Sequence, residues 1–151
     1  MKDLEQLLKN INKLDIDDIF QKNVWSRSDS KEYIVQLNTE GQPTSQLFEQ
    51  GVDSLGNTLG EYAPRTKDIK TAKGQRIDHI TLRDAGNFYN SYRVIPRKKG
   101  FDIVADPIAG DSNLFDDFGE EIVGLTKENE KLMLEFVEEF FENELKKRLF
   151  Q

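Results

Sequence analysis

The chain holds a single histidine, His79, and no cysteine among its 151 residues. Thiol nucleophiles, thiolate zinc sites and disulfides are therefore excluded, and so is any metal site built on two histidines. Only an all-oxygen cation site remains open in composition. Two acidic groups come close enough in sequence to suggest one: Asp15, Asp17 and Asp18, and Asp116, Asp117, Glu120 and Glu121. Neither carries the central glycine and closing glutamate of a calcium loop, and both read as solvated helix ends. Asp102 and Asp106 flank a strand-like run and are the remaining pair for Mg²⁺-assisted hydrolysis, but no Glu-x-Lys follows on a partner strand. The glycine-dotted stretch from Gly51 to Gly60 lacks the Gly-Lys-Ser/Thr ending of a phosphate loop. His79, alone in a strand-like run, reads as structural. No catalytic, cofactor-binding or metal residue is assigned.

Two other constellations point to contact rather than reaction. Arg65, Lys67, Lys70, Lys73 and Arg76 form a local basic cluster, with Tyr62 just before it. Phe88, Tyr89 and Tyr92 form a compact aromatic patch beside the turn formers Asp84 and Gly86. Tyr62, the five basic residues, Phe88 and Tyr89 are the candidate interface residues.

The elements that position them are legible to different degrees. Leu4, Leu7, Leu8, Ile11 and Leu14 recur at helical steps, and a second short apolar pattern runs from Ile16 to Trp25, with Asp15 as its N-cap. Tyr33–Leu37 suits a strand or one helical turn. Residues 41–76 hold seven Gly and Pro residues among polar ones and read as a long extended arm, mobile alone and ordered against a partner. Residues 77–82 read as a strand and 85–91 as a short helix. Tyr92–Pro96 and Gly100–Asp106, joined by Arg97-Lys98-Lys99, read as a β-hairpin. Asn113–Gly119 reads as a helical turn stopped by glycine, and Ile122–Leu125 as a short extended segment.

Thr126 caps the last helix, which spans about 24 residues, or about 36 Å. Met133, Val137, Phe141, Leu145 and Leu149 fall four apart, with Leu132, Phe136 and Phe140 alongside. Phe136, Val137, Phe140 and Phe141 are expected to dock on the sheet. The sum is one α+β domain, residues 1–151. In it a small antiparallel sheet, over 77–82, 92–96 and 101–105, packs against the N-terminal and long C-terminal helices.

A net charge of −7 argues against sequence-specific nucleic-acid binding and against anionic membranes, although the basic arm is able to touch passing DNA. No apolar run approaches the roughly 20 residues of a membrane helix, and the acidic N-terminus lacks a signal peptide's apolar core. An acidic body with a basic arm suits head-to-tail contact between copies.

Thr81-Leu82-Arg83-Asp84-Ala85-Gly86-Asn87-Phe88, then Ser91, then a hairpin, resembles the core signature of tailed-phage virion-morphogenesis proteins. These are the tail-completion and head–tail connector proteins of the neck. Leu114–Gly119 fills that family's later aromatic–glycine slot, and Tyr62-Ala63-Pro64-Arg65-Thr66 with Lys67 and Lys70 resembles its upstream arm. Ala85 stands where threonine is usual and Phe88 where leucine is common. The resemblance covers about residues 47–149. It implies a structural, non-enzymatic virion protein that forms a cyclic homo-oligomer at the portal–tail junction, beside other neck, portal or tail proteins, after synthesis in the bacterial cytoplasm. The contrasting readings are a Mg²⁺-dependent nuclease or hydrolase using Asp102 and Asp106, and a small phage-encoded host-binding protein.

Overall fold

The structure is a computed structural model that describes residues 2–150. The fold is α+β. Helix α1 spans Lys2–Asn12. Helix α2, Ile16–Ile19, starts at Asp15, whose carboxylate accepts from the Asp18 amide, and it runs on as a π-helical turn over Phe20–Trp25. Helix α3 is Ser28–Asn38, so Tyr33–Leu37 is helical, and a second π turn covers Gln46–Gln50. Helix α4 is Pro64–Ala72, with proline in its first turn, where the missing N–H costs no bond. Then follow α5 (Asn87–Asn90), the hairpin β1 (Arg93–Arg97) and β2 (Gly100–Val104), and a tiny second hairpin, β3 (Ile108–Ala109) and β4 (Ser112–Asn113). Helix α6, Leu114–Phe118, ends at Gly119, and a 3-10 turn at Glu120–Ile122 leads to α7, Lys127–Leu149.

The hairpin pairs antiparallel with Arg93 opposite Val104 and Arg97 opposite Gly100. The expected third strand at 77–82 is absent: this segment joins no ladder. Its backbone is satisfied instead by the arm, with the Ile80 amide donating to Gly60 O (3.0 Å) and the Thr81 amide to the Tyr62 hydroxyl (2.9 Å). Apolar alternation predicts burial of one face, and that burial is met here by loop packing.

Two apolar clusters make the core. Val24, Trp25, Ile34, Leu37, Val94, Met133 and Val137 join α3, the first π turn, β1 and α7. Leu47, Phe88, Tyr89, Tyr92 and Ile122 join the second π turn, α5 and the link before α7, and Val35 and Ile103 touch both clusters. Helix α7 starts as its sequence predicts, with the Thr126 hydroxyl accepting from the Asn129 amide. Its docking row shifts, however. Met133 and Val137 are the buried pair, while Phe136 is 37% exposed and stacks flat on Tyr33 at 4.2 Å, and Phe140 and Phe141 are only half-buried.

The arm also divides. Ser45, Gln46 and Leu47 are fully buried, so the stretch read as its beginning is core. Glycines there serve tight turns around buried anchors: Gly51 takes φ +65°, and a Cβ on it would fall 2.5 Å from the His79 ring. Residues 61–76, with α4, which buries no side chain, lie along the surface, as does the loop tip at 55–58.

Candidate functional site

The stretch Thr81–Ser91 is a junction whose polar groups are spent on structure. Thr81 is buried. Its amide donates to the Tyr62 hydroxyl, its own hydroxyl lies 3.2 Å from the same Tyr62 oxygen and accepts from the Arg83 amide (3.2 Å), and its carbonyl accepts from the Tyr89 hydroxyl. Burial pushes the Tyr89 and Tyr92 hydroxyls well above the usual phenol range, so both remain proton donors. Tyr92 donates to Ile122 O at 2.8 Å. Ser91 donates to Phe88 O and accepts from the Asp106 amide (2.9 Å), which ties α5 to the end of β2. Phe88 and Tyr89 therefore stand in the core at 8% and 5% exposure, not on an open face. The turn formers Asp84 and Gly86 just before it made the patch look superficial, but Gly86 at φ +88° starts a helix that faces inward.

Four of the five basic residues are held by this chain's own acids, amides and carbonyls. Arg76 donates to both carboxylate oxygens of Asp78 (2.6 and 3.1 Å), to Glu49 (3.1 Å) and to Phe48 O (3.1 Å). Lys73 pairs with Asp84 at 3.2 Å, and Lys67 with Glu61 at 3.9 Å. Lys70 sits 4.8 Å above the Tyr62 ring and donates to Gln75 and to Arg83 O, each at 3.3 Å. Arg65 is exposed and has no ion pair among the described residues. Hydrogen bonds from Arg76 hold the Asp78 carboxyl below its ordinary range, and those from Gln75 and Lys73 do the same for Asp84.

The residues weighed for chemistry are likewise engaged, and separately. Asp102 accepts from Arg97 Nε at 2.9 Å, and Asp106 accepts from the Ile108 amide at 3.0 Å. Among the described residues no group of three or more His, Asp or Glu side chains is placed to hold a metal ion. His79 bonds through Nε2 to Phe48 O at 2.7 Å, which fastens 77–82 to the second π turn.

Sequence reasoning missed the polar knot at the centre of the fold. Asn38, Gln46 and Asn129 are all fully buried. Gln46 donates to Gly124 O (2.8 Å) and accepts from the Thr126 amide (2.8 Å) and Asn129 Nδ2 (3.0 Å). Asn38 donates to Ile122 O (3.0 Å) and accepts from the Gly124 amide (2.8 Å), while Asn129 reaches Leu37 O (3.2 Å) and Thr44 O (2.9 Å). Three distant segments are joined this way. Nothing local signals it, since Asn38, Gln46 and Asn129 each sit beside polar neighbours.

No helix among the described residues is long and apolar enough to cross a membrane. No family model, curated protein or solved structure matches the chain.

Proposed function

We propose that the chain is a structural virion protein of a tailed phage, a neck subunit of the head–tail connector or tail-completion kind, forming a ring at the portal–tail junction. The observation that carries this reading is the face of α1. The helix rests on the end of α7, where Asn10 donates to Leu149 O at 2.8 Å, yet it turns Leu4, Leu8 and Ile11 outward at 46%, 52% and 45% exposure. These positions are i, i+4 and i+7, one continuous apolar row. Such a row is stabilised when a neighbouring molecule covers it. The resemblance in Thr81–Ser91 supplies the kind of assembly, and the junction's polar groups are already committed to holding the arm, α5 and the hairpin together.

Sedimentation and negative-stain microscopy of the purified chain, alone and with the portal protein of the same phage, test this. Rings, or capture on the portal, are expected. A chain that stays at its 17.5 kDa monomer mass in both settings overturns the reading. Nuclease, phosphatase and esterase assays with Mg²⁺ or Mn²⁺ are expected to be blank. Hydrolysis abolished by Asp102→Ala or Asp106→Ala would put the enzyme reading in its place.

A further inference from the structure

The two outer edges of the β1–β2 hairpin differ. Only Lys98 and Lys99 separate Arg97 from Gly100, so these two form a hydrogen-bonded pair, and bonded and unbonded pairs alternate from there along the ladder. The backbone N–H and C=O groups of Val94, Phe101 and Ile103 therefore point away from the hairpin, as does the Pro96 carbonyl. On β1 this edge is closed. Pro96 offers no N–H, and Val94 is 7% exposed in the cluster it shares with Ile34 and Leu37 of α3. On β2 it is open. No third strand pairs with it, and the backbone groups of Phe101 and Ile103 have no hydrogen-bond partner outside the ladder among the described residues.

Alongside β2 runs a groove of about 580 Å³. Its other walls are Val123 and Leu125 of the link before α7, and Glu130, Met133 and Leu134 of α7 itself. Leu134 is 53% exposed there. Open backbone groups define an occupant more narrowly than an apolar patch does. Two donors and two acceptors in a fixed row, from Phe101 and Ile103, are matched by an extended main chain of the same period. Every second side chain of such a strand meets the apolar groove residues.

Charge adds a preference. Of the charged lining residues, Lys99 pairs with Asp17 and Asp102 with Arg97. Glu130 is left, exposed and without an ionic partner among the described residues. Lys127 and Lys131 stand on the same helix but do not line the groove. The chain's own strands are poor occupants. The edge of β1 is closed, β3 and β4 have two residues each, and a second β2 set antiparallel about its centre brings Asp102 against Asp102.

We propose that the open edge of β2 takes an extended segment of a different protein as a third strand. Its alternate apolar side chains lie over Val123, Leu125 and Leu134, and a basic residue faces Glu130. The inference goes beyond the ring reading and does not depend on it, since strand binding and ring formation use different surfaces.

Titration of the isotope-labelled full chain with the capped peptide Lys-Val-Thr-Val-Thr-Val-Lys, followed at its amide resonances, tests it. Saturable shifts and slowed hydrogen exchange at the Phe101 and Ile103 amides are expected. Methylating the peptide's amide nitrogens at every second residue removes the donors along one of its edges. One phase of methylation is expected to weaken binding about 10-fold or more and the other to leave it within about 2-fold, since a single edge meets β2. Replacing both peptide lysines by glutamate is expected to weaken binding about 2- to 5-fold. Leu134→Arg fills the groove from an exposed position, so about 10-fold weaker binding at an unchanged melting temperature is expected. No shift at the Phe101 and Ile103 amides at about 1 mM peptide overturns the proposal. Equal binding by both methylated forms, or undiminished binding by Leu134→Arg, also overturns it. Protection of the same amides without peptide, growing with protein concentration beside a dimer mass, gives the edge to a second copy and overturns it as well.

Discussion

The knot around Gln46 and the arm from residue 61 to 84 fasten chain to chain in opposite ways. In the knot, neutral amide side chains with no solvent exposure bond to backbone groups that water cannot reach. In the arm, charged side chains meet at the surface: Arg76 is 30% exposed, Asp78 57%, Lys73 52% and Asp84 68%. A buried amide bond is not screened by salt and does not titrate, but leaving one partner unpaired costs the full desolvation of that group. An exposed ion pair is screened, titrates and contributes little. Stability therefore resides in the knot and the two apolar clusters, while the arm is a part that conditions can loosen without unfolding the rest.

The largest effects should follow from breaking the knot's side of this contrast. Leu47→Ala empties a fully buried site between the second π turn and α5, and about 3 kcal/mol of global stability should go with it. Gln46→Leu keeps the volume but strands Gly124 O and the Thr126 amide, while Asn129 Nδ2 keeps Leu37 O and Thr44 O, which should cost about 2–3 kcal/mol. Denaturant melts followed by Trp25 fluorescence measure both. If either variant frees only residues 41–60 while Trp25 and its cluster hold, those residues form a separable arm after all, as their glycines and prolines first suggest.

A smaller effect is expected at the arm's strongest fastener. Arg76→Gln removes the two-pronged contact to Asp78 and the bonds to Glu49 and Phe48 O. The loss should be about 1 kcal/mol, since exposed pairs give 0–1 and a bond from a charged group to a carbonyl gives somewhat more. Faster proteolysis within 61–84 at nearly unchanged melting temperature is the expected signature. A loss as large as that of Leu47→Ala would erase the distinction between the two regions.

What the sequence made legible follows the same division. Elements fixed by local chemistry were readable: the Asp15 and Thr126 caps, the glycine stop at Gly119, the hairpin around Lys98-Lys99 and the extent of α7, though not which of its phenylalanines dock. Segments whose bonds come from far along the chain were not. Ile80 and Leu82 alternate like a strand, yet their neighbour in space is residue 60 or 62, and nothing local reports that. Gln46 reads as polar and hence outward, whereas its partners lie 78 to 83 residues away. The basic cluster was visible as charge, but the acids that engage it, Glu49, Asp78 and Asp84, were hidden by their distance or by their look of ordinary turn residues. Phe88 and Tyr89 misled for the converse reason, since an aromatic patch looks alike whether it faces a partner or its own core.

The smallest and sharpest effect is one of pH. Asp78 and Asp84 titrate below the ordinary carboxylate range because Arg76 holds the first, and Gln75 and Lys73 hold the second. A carboxyl with a lowered folded-state pKa adds stability that is whole above its unfolded value, about 3.9, and is lost as pH falls through the lower folded value. The attachment of α4 should thus be intact at pH 5 and above and weaken from about pH 4 downward. The amides of the knot carry no titrating proton and should not respond. Hydrogen exchange at pH 5 and pH 3, corrected for intrinsic rates, can compare the two regions in one sample. The Gln75 amide, which donates to Lys70 O at 2.8 Å, should lose protection, while amides near Val137 in α7 keep theirs. At pH 7, about 1 M salt should reproduce the loss at Gln75, because screening at about 3 Å reaches the same exposed pairs. Equal loss in both regions at pH 3 would mean that the arm and the core open together, and that the surface charges are coupled to the whole fold rather than to the arm alone.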